Sequence, residues 1–239
     1  MKYRVMDKEK EIRMPLFTPG QRLYLKIQRG YSFAAALAAL VVLSPLFLVL
    51  CIWELFSDGF PILFIQKRVG IRKIPEGKTG QDEPAGELQY FPMMKFRSMY
   101  KSTPHDMPTH LLQDPEQYIT GAGKFLRKTS LDELPQLINV LKGDMNLVGP
   151  RPALYNQEDL VAARDRYGAN YIRPGITGWA QIHGRDELEI PEKARLDGYY
   201  VQHLGPVIDL KCLLLTVKAV IKSDGVVEGG TGAMEKRAK

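Results

Sequence analysis

The sequence predicts an α+β fold: a mostly helical domain with short strands and extended loops, held to a membrane by an apolar helix near the N-terminus and by amphipathic helices. Three observations carry this. No charged residue occurs from Gly30 to Trp53 (GYSFAAALAALVVLSPLFLVLCIW), and a Ser-Pro pair interrupts the run near its middle. Downstream, apolar residues recur every three or four positions in separate segments, the period of a helix with one buried face. Between those segments lie MNLVGPRPAL and YIRPGITGWAQIHGR, too rich in Gly and Pro for regular helix.

The apolar run comes first. As a straight helix it would extend roughly 36 Å, against a bilayer core of about 30 Å. It is too long and too far along the chain for a cleaved leader. Pro45 removes a backbone hydrogen bond and crowds the preceding turn. The Ser44 hydroxyl can satisfy a freed carbonyl, so a bend is tolerable even in lipid. Arg13, Arg22, Lys26 and Arg29 precede the run, and Lys67, Arg68, Arg72 and Lys73 follow it. Lysine and arginine favour the cytoplasmic side. Two topologies meet these facts: a single kinked span, or a helix that dips in and returns to the same face.

The remaining elements follow in order. ILFIQKRVG reads as a short strand or the end of the anchor, and Ile74 to Gln89 as an exposed loop. Helices are predicted over Leu131–Leu141, Gln157–Tyr167, Pro191–His203 and Asp209–Lys222. In TSLDELPQLINV, Ser130 and Glu133 have the spacing of a capping box, and Asp132 would lie in the first turn, where the helix dipole favours negative charge. The neighbouring carboxylates Asp132 and Glu133 therefore read either as a helix start or as chemistry. In the last helix Lys211, Lys218 and Lys222 share a face. That pattern suits an interface with anionic lipid, or a helix packed on a core with its lysines in water.

A net charge of +6 over 239 residues points to an anionic partner. With no basic recognition helix and no aromatics interleaved on a sheet, nucleic acid is the weaker choice. Lys95 and Arg97 in MMKFRSM, Arg127 in FLRKTS, Arg151 in GPRP, Arg173 in IRPG and Arg185 in HGRDE sit in short extended pieces, and arginine's planar fork suits phosphate. No GxGxxG or P-loop is present. Cys51, Cys212 and the four histidines have no metal-binding spacing, so any metal is a hard ion such as Mg²⁺ on carboxylates. A glycoside hydrolase fails on geometry, since neighbouring helical residues point about 100° apart and flank no common bond.

At the level of whole motifs the chain resembles the bacterial sugar transferases called monotopic phosphoglycosyl transferases, in their compact form. The resemblance runs from about Tyr24 to Gly225. It covers the apolar helix with Ser44-Pro45, PILFIQKRVG, KFRSM, LRKTSLDELPQLINVLKGDMNLVGPRP, RPGITGWAQIHGR, LDGYYV and the final DLK helix. It implies an N-terminal extension (1–23), a re-entrant membrane helix (24–60) broken at Ser44-Pro45, a catalytic domain (61–225) on the cytoplasmic face of the bacterial inner membrane, and a flexible tail (226–239).

The implied reaction moves a sugar-1-phosphate from a UDP-sugar to a polyprenol phosphate such as undecaprenyl phosphate, releasing UMP. This would be the first membrane step of capsule, exopolysaccharide, O-antigen or glycoprotein glycan synthesis. Asp132 would be the nucleophile, and Asp132 and Glu133 would hold Mg²⁺. Substrate-binding positions map onto Lys95, Arg127, Arg151, Arg185, Asp209 and, by a looser match, Asp197. A homodimer is compatible with the family. Two departures stand out: Ser32 where an acidic residue is common, and a long loop over Ile71–Gln89. The rival from another class is a basic, membrane-anchored scaffold that binds acidic glycans or partners, which would need the anchor and the charge but no carboxylate pair.

Overall fold

The computed structural model describes residues 17–73, 86–104, 114–184 and 188–222. Arg185, most of the loop after Lys73 and both ends of the chain lie outside them. The fold is mixed α and β and mostly helical.

Helix α1 (Pro19–Val42) opens on a capping box, with the Thr18 hydroxyl accepting from Gln21 N at 3.2 Å and the Gln21 side chain accepting from Thr18 N at 3.0 Å. It stops at Leu43, where φ −89° and ψ 2° leave helical geometry, and α2 (Ser44–Asp58) begins with Pro45 in its first turn. The Ser44 hydroxyl donates to the Val41 carbonyl at 2.8 Å, so the serine supplies a bond near the proline break. α1 is the one described helix long and apolar enough to cross a membrane by length and composition.

Both arms of this broken helix rest on one body. Ala36 of α1 is fully buried with Phe91, Met93, Leu137, Val140 and Met145. Arg29 donates to the Val140 and Leu141 carbonyls at the end of α4 (Gln136–Lys142). Leu50 of α2 is buried with Phe96 and Leu126, and the Trp53 ring lies 5.4 Å from that of Phe125. On the outside Val41, Val42, Leu48, Val49, Ile52 and Phe56 are left exposed, the last at 84%.

Strand β1 (Leu63–Arg72) pairs antiparallel with β2 (Leu88–Phe96), matching Leu63 to Phe96 and Arg68 to Phe91, with an irregularity between Val69 and Arg72. The end of the expected loop, Leu88 and Gln89, is strand. β2 tolerates Pro92 because among the described residues it pairs on one side only, leaving an edge where a missing N–H costs nothing. Helix α3 (Gly121–Thr129), which periodicity did not indicate, is capped by the Thr120 hydroxyl accepting from Gly123 N at 2.8 Å. Gly123 is forced by contact: a Cβ there would lie 2.0 Å from the Ser98 carbonyl oxygen.

After α4, β3 (Asn146–Val148) pairs in parallel with β4 (Gly175–Thr177). The glycines here form a backbone crossing. A Cβ on Gly175 would sit 2.1 Å from Gly149 N, and one on Gly178 2.0 Å from Gly149 O. Helices α5 (Glu158–Asp165), α7 (Ile190–Gln202) and α8 (Pro206–Lys222) lie close to their expected bounds, and a short α6 (Trp179–Ile182) lies inside the segment read as extended. Helix α8 differs in its faces. Ile208, Asp209 and Cys212 are buried, while Lys211 and Lys218 share the exposed side with Val207, Leu210, Leu214 and Val217.

Candidate functional site

The expected capping box does not form. Ser130 sits in the left-handed region (φ 57°, ψ 18°) and closes α3, its N–H bonding to the Arg127 carbonyl. The next three residues, Leu131–Glu133, make a single 3₁₀ turn, and Pro135, with no N–H, separates that turn from α4. Asp132 and Glu133 are thus presented by a tight turn wedged between two helices. Glu133 is not free to reach back to Ser130, because cations claim it. Lys95 Nζ at 2.9 Å and Arg151 Nη2 at 2.8 Å both donate to Glu133 Oε1. Charged donors outcompete a neutral amide.

The two carboxylates are driven apart. Asp132 is 7% exposed, and no hydrogen bond to its carboxylate forms among the described residues. Burial raises its pKa and the Glu133 charge adds to that; Lys95, Arg127 and Arg151 pull it back without cancelling the rise. At Glu133 burial also pushes up, but Arg151 and Lys95, by charge and by hydrogen bond, outweigh it and hold the carboxyl well below the usual carboxylate range. Neighbouring acids whose environments separate their titrations mark a division of labour. Glu133 anchors cations; Asp132 keeps an unspent carboxylate.

Three cations therefore act on the pair: Lys95 from the end of β2, Arg127 from the last turn of α3, and Arg151 from the loop after β3. The Arg151 loop is rigid. Gly149 N donates to Thr177 O at 2.8 Å, Gly175 N to Pro150 O at 2.9 Å, and Arg68 Nη1 to Pro152 O at 3.1 Å.

The other expected residues lie elsewhere. Arg97 is buried at the C-terminal end of α2, paired with Asp58 at 2.8 Å and donating to the Asp58 and Gly59 carbonyls. Arg173 donates to the Gly143 carbonyl at 3.0 Å, closing α4. Asp197 is buried against Arg164. Asp209 joins α8 to α1 and α7, accepting from Gln28 and the hydroxyls of Tyr24, Tyr31 and Tyr200. Arg185 is outside the described residues. Arg164 was missed, although its place one turn after the buried Leu160 puts it on the inner face of α5.

The donor set can be tested for Mg²⁺. Among the described residues no group of three His, Cys, Asp or Glu side chains could cage a metal. Mg²⁺ does not require one: one or two carboxylates, with water and substrate phosphate oxygens, complete its shell. Asp132 and the Glu133 oxygen not taken by Lys95 and Arg151 fit that arrangement.

Comparison with known proteins places the chain. The family model described as bacterial sugar transferase matches residues 23–223. This chain belongs to the bacterial sugar transferase family. Membership sets it among enzymes rather than passive membrane scaffolds. It is 37% identical over 200 residues to an uncharacterized sugar transferase, EpsL, of Bacillus subtilis (strain 168), covering 84% of this chain and 90% of that protein. It is 34% identical over 212 residues to the UDP-glucose:undecaprenyl-phosphate glucose-1-phosphate transferase of Escherichia coli (strain K12), covering 85% of this chain but 42% of that one. It is 33% identical to the undecaprenyl-phosphate galactose phosphotransferase of Salmonella typhimurium, covering 83% of this sugar transferase and 41% of that protein. The last two are named for different sugars at nearly equal identity, so identity does not assign the sugar.

Proposed function

We propose that this sugar transferase moves a sugar-1-phosphate from a UDP-sugar to a polyprenol phosphate, releasing UMP, through a phospho-sugar ester on Asp132. The observation that carries it is the separation of the dyad: Glu133 is committed to Lys95 and Arg151, while Asp132 stands buried among three cations with its carboxylate unspent. A lone anion cannot approach a diphosphate unless positive charge offsets the repulsion. Lys95, Arg127 and Arg151 supply that charge, and burial strengthens it.

In the first step an Asp132 oxygen attacks the sugar-bearing phosphorus, and the bond to the UMP oxygen breaks, UMP leaving with the electron pair. In the second step a phosphate oxygen of the polyprenol phosphate attacks the same phosphorus, and the acyl-phosphate bond breaks, restoring the Asp132 carboxylate. Splitting the transfer lets one site serve two acceptors in turn. Asp132 and Glu133 would hold Mg²⁺, which when bound supplies further neutralisation of the phosphates.

The membrane reading is that the helix is re-entrant. The apolar part of α1 from Gly30 and the whole of α2 each reach only about 20 Å at 1.5 Å per residue, short of the roughly 30 Å of hydrocarbon. Both also return to the same catalytic body. The mixed exposed face of α8 suits the lipid boundary, where lysine stems lie along apolar surface and their ammonium groups reach the headgroups. This holds the dyad near the headgroup of the polyprenol phosphate, on the cytoplasmic face.

Purified protein in lipid particles, offered a panel of UDP-sugars, is expected to release UMP in continuous turnover only when polyprenol phosphate and Mg²⁺ are both present. Asp132→Asn should remove that turnover by more than about 1,000-fold, the scale seen when a nucleophile is lost and only binding remains. Undiminished turnover in that variant would end the covalent mechanism. Cysteines placed on each flank of the broken helix in intact spheroplasts should both resist an external label; labelling of either flank would end the re-entrant topology.

A further inference from the structure

Every main-chain carbonyl in Pro150-Arg151-Pro152 is held. Pro150 O accepts from Gly175 N at 2.9 Å and Pro152 O from Arg68 Nη1 at 3.1 Å. Arg151 O accepts from Arg164 Nη1 at 2.8 Å. The Arg164 clamp is backed by a buried ion pair. Arg164 Nε and Nη2 lie 2.8 and 2.7 Å from Asp197 Oδ2, and the two side chains are 3% and 1% exposed. Arg164 comes from α5 and Asp197 from α7, so the pair ties two helices to the loop that carries Arg151.

We propose that Arg164 and Asp197 are positioning residues: Asp197 orients the Arg164 guanidinium, Arg164 pins the Arg151 main chain, and Arg151 is thereby held to Glu133 and to the substrate phosphate. The proposal rests on the phosphate-handling reading of Arg151. A buried ion pair is a poor source of stability, because desolvating two charges offsets their attraction. Its use here is directional. A planar guanidinium serves a carboxylate along one edge and a carbonyl on another, which lysine's compact ammonium does not. The flanking prolines lack N–H groups, so the loop can be gripped chiefly by its carbonyls. Asp197, fully enclosed, acts on the reaction through Arg164 and does not touch substrate.

The test uses the full chain in lipid particles, with turnover and thermal stability measured for each variant. Arg164→Lys keeps the charge beside Asp197 but loses the bridge. It is expected to melt near the wild-type temperature, raise KM for the UDP-sugar about 10-fold and lower kcat less. The paired replacement Arg164→Met with Asp197→Leu removes both buried charges together and should show the same rise in KM. The discriminating measurement is on an Arg151→Met background. A residue that acts through Arg151 adds nothing there, so Arg164→Lys should leave the residual kcat/KM unchanged. A wild-type KM in Arg164→Lys, an equal further loss on the Arg151→Met background, or failure of both replacements to fold would overturn the proposal. Absence of UMP release from the wild-type protein would instead fall on the functional reading itself.

Discussion

Asp132 and Asp209 are both buried carboxylates, 7% and 3% exposed, and the protein treats them in opposite ways. Asp209 is saturated by neutral donors. Tyr24 and Gln28 each donate to Oδ2 at 2.7 Å, Tyr31 donates to the same oxygen, and Tyr200 donates to Oδ1 at 2.6 Å. Tyr24, Gln28 and Tyr31 belong to α1, so the network fastens the broken membrane helix to the domain. Asp132 has cations around it and its carboxylate left unbonded among the described residues. A saturated anion has nothing left with which to react. An anion held by field alone keeps its lone pairs. On the proposed mechanism the contrast is that between a carboxylate used for joinery and one left for attack on phosphorus.

Removing each charge should break that comparison most sharply. Asp132→Asn is expected to abolish turnover and to leave the fold intact, while Asp209→Asn should do the reverse. In the latter, an amide N–H₂ would face converging donors, costing about 2–3 kcal/mol. For a chain of this size that is a fall in Tm of roughly 5–10 °C. The folded fraction should keep the wild-type KM for UDP-sugar. Calorimetry with a turnover assay on both variants decides it; loss of turnover in fully folded Asp209→Asn would move that residue into the reacting site.

Next in size is the glycine crossing that mounts Arg151. Ala at Gly175 would place a methyl group 2.1 Å from a backbone nitrogen, where no side-chain rotation relieves it. Overpacking costs about 1–3 kcal/mol, and it should lower both stability and affinity for UDP-sugar. A Gly175→Ala protein with unchanged Tm would mean the β3–β4 crossing is looser than its geometry states.

A smaller, pH-dependent effect follows from the Asp132 shift. Its folded pKa is raised, so the proton it binds stabilises the fold below the unfolded value near about 3.9, and that contribution is lost as pH rises through the folded value. Above the folded value the wild-type protein carries the penalty of a buried charge. The melting temperature of Asp132→Asn relative to wild type should therefore rise with pH, the difference shrinking as pH falls and Asp132 takes up its proton. A pH series of melting curves without added metal reads this directly. A constant difference across the series would mean that burial does not set the Asp132 charge.

These outcomes also show how far the sequence could be read. The broken helix was legible because its cause is local: an uncharged run with Pro45 inside it. The bounds of α7 and α8 were legible for the same reason. The spacing of Ser130 to Glu133 satisfies a local rule, yet the box does not form, because the Glu133 carboxylate is taken by Lys95, 38 positions away, and by Arg151, 18 away. A lone arginine in an extended piece, such as Arg97 or Arg173, does not disclose whether it will meet a ligand or, as here, a helix's last carbonyls. Arg164 drew no notice, since its partner Asp197 lies 33 positions on and no spacing rule connects them. Local chemistry was visible. Long-range pairing was not.

The mildest expected effect concerns Cys212, the neighbour in space of the Asp209 network. Its side chain is fully buried on the inner face of α8, and burial, with the Asp209 charge adding, pushes the thiol up to about 12. The reactive thiolate is therefore scarce at pH 8, and access is closed as well. Alkylation by iodoacetamide in the folded protein should spare Cys212 over a time that fully modifies it in denaturant, as peptide mass analysis would show. The same reagent tests the network: in Asp209→Asn, where the joint between α8 and α1 is weakened, protection should fall before global unfolding begins. Equal protection in both proteins would mean that core packing alone, and not the tyrosine-lined carboxylate, seats α8.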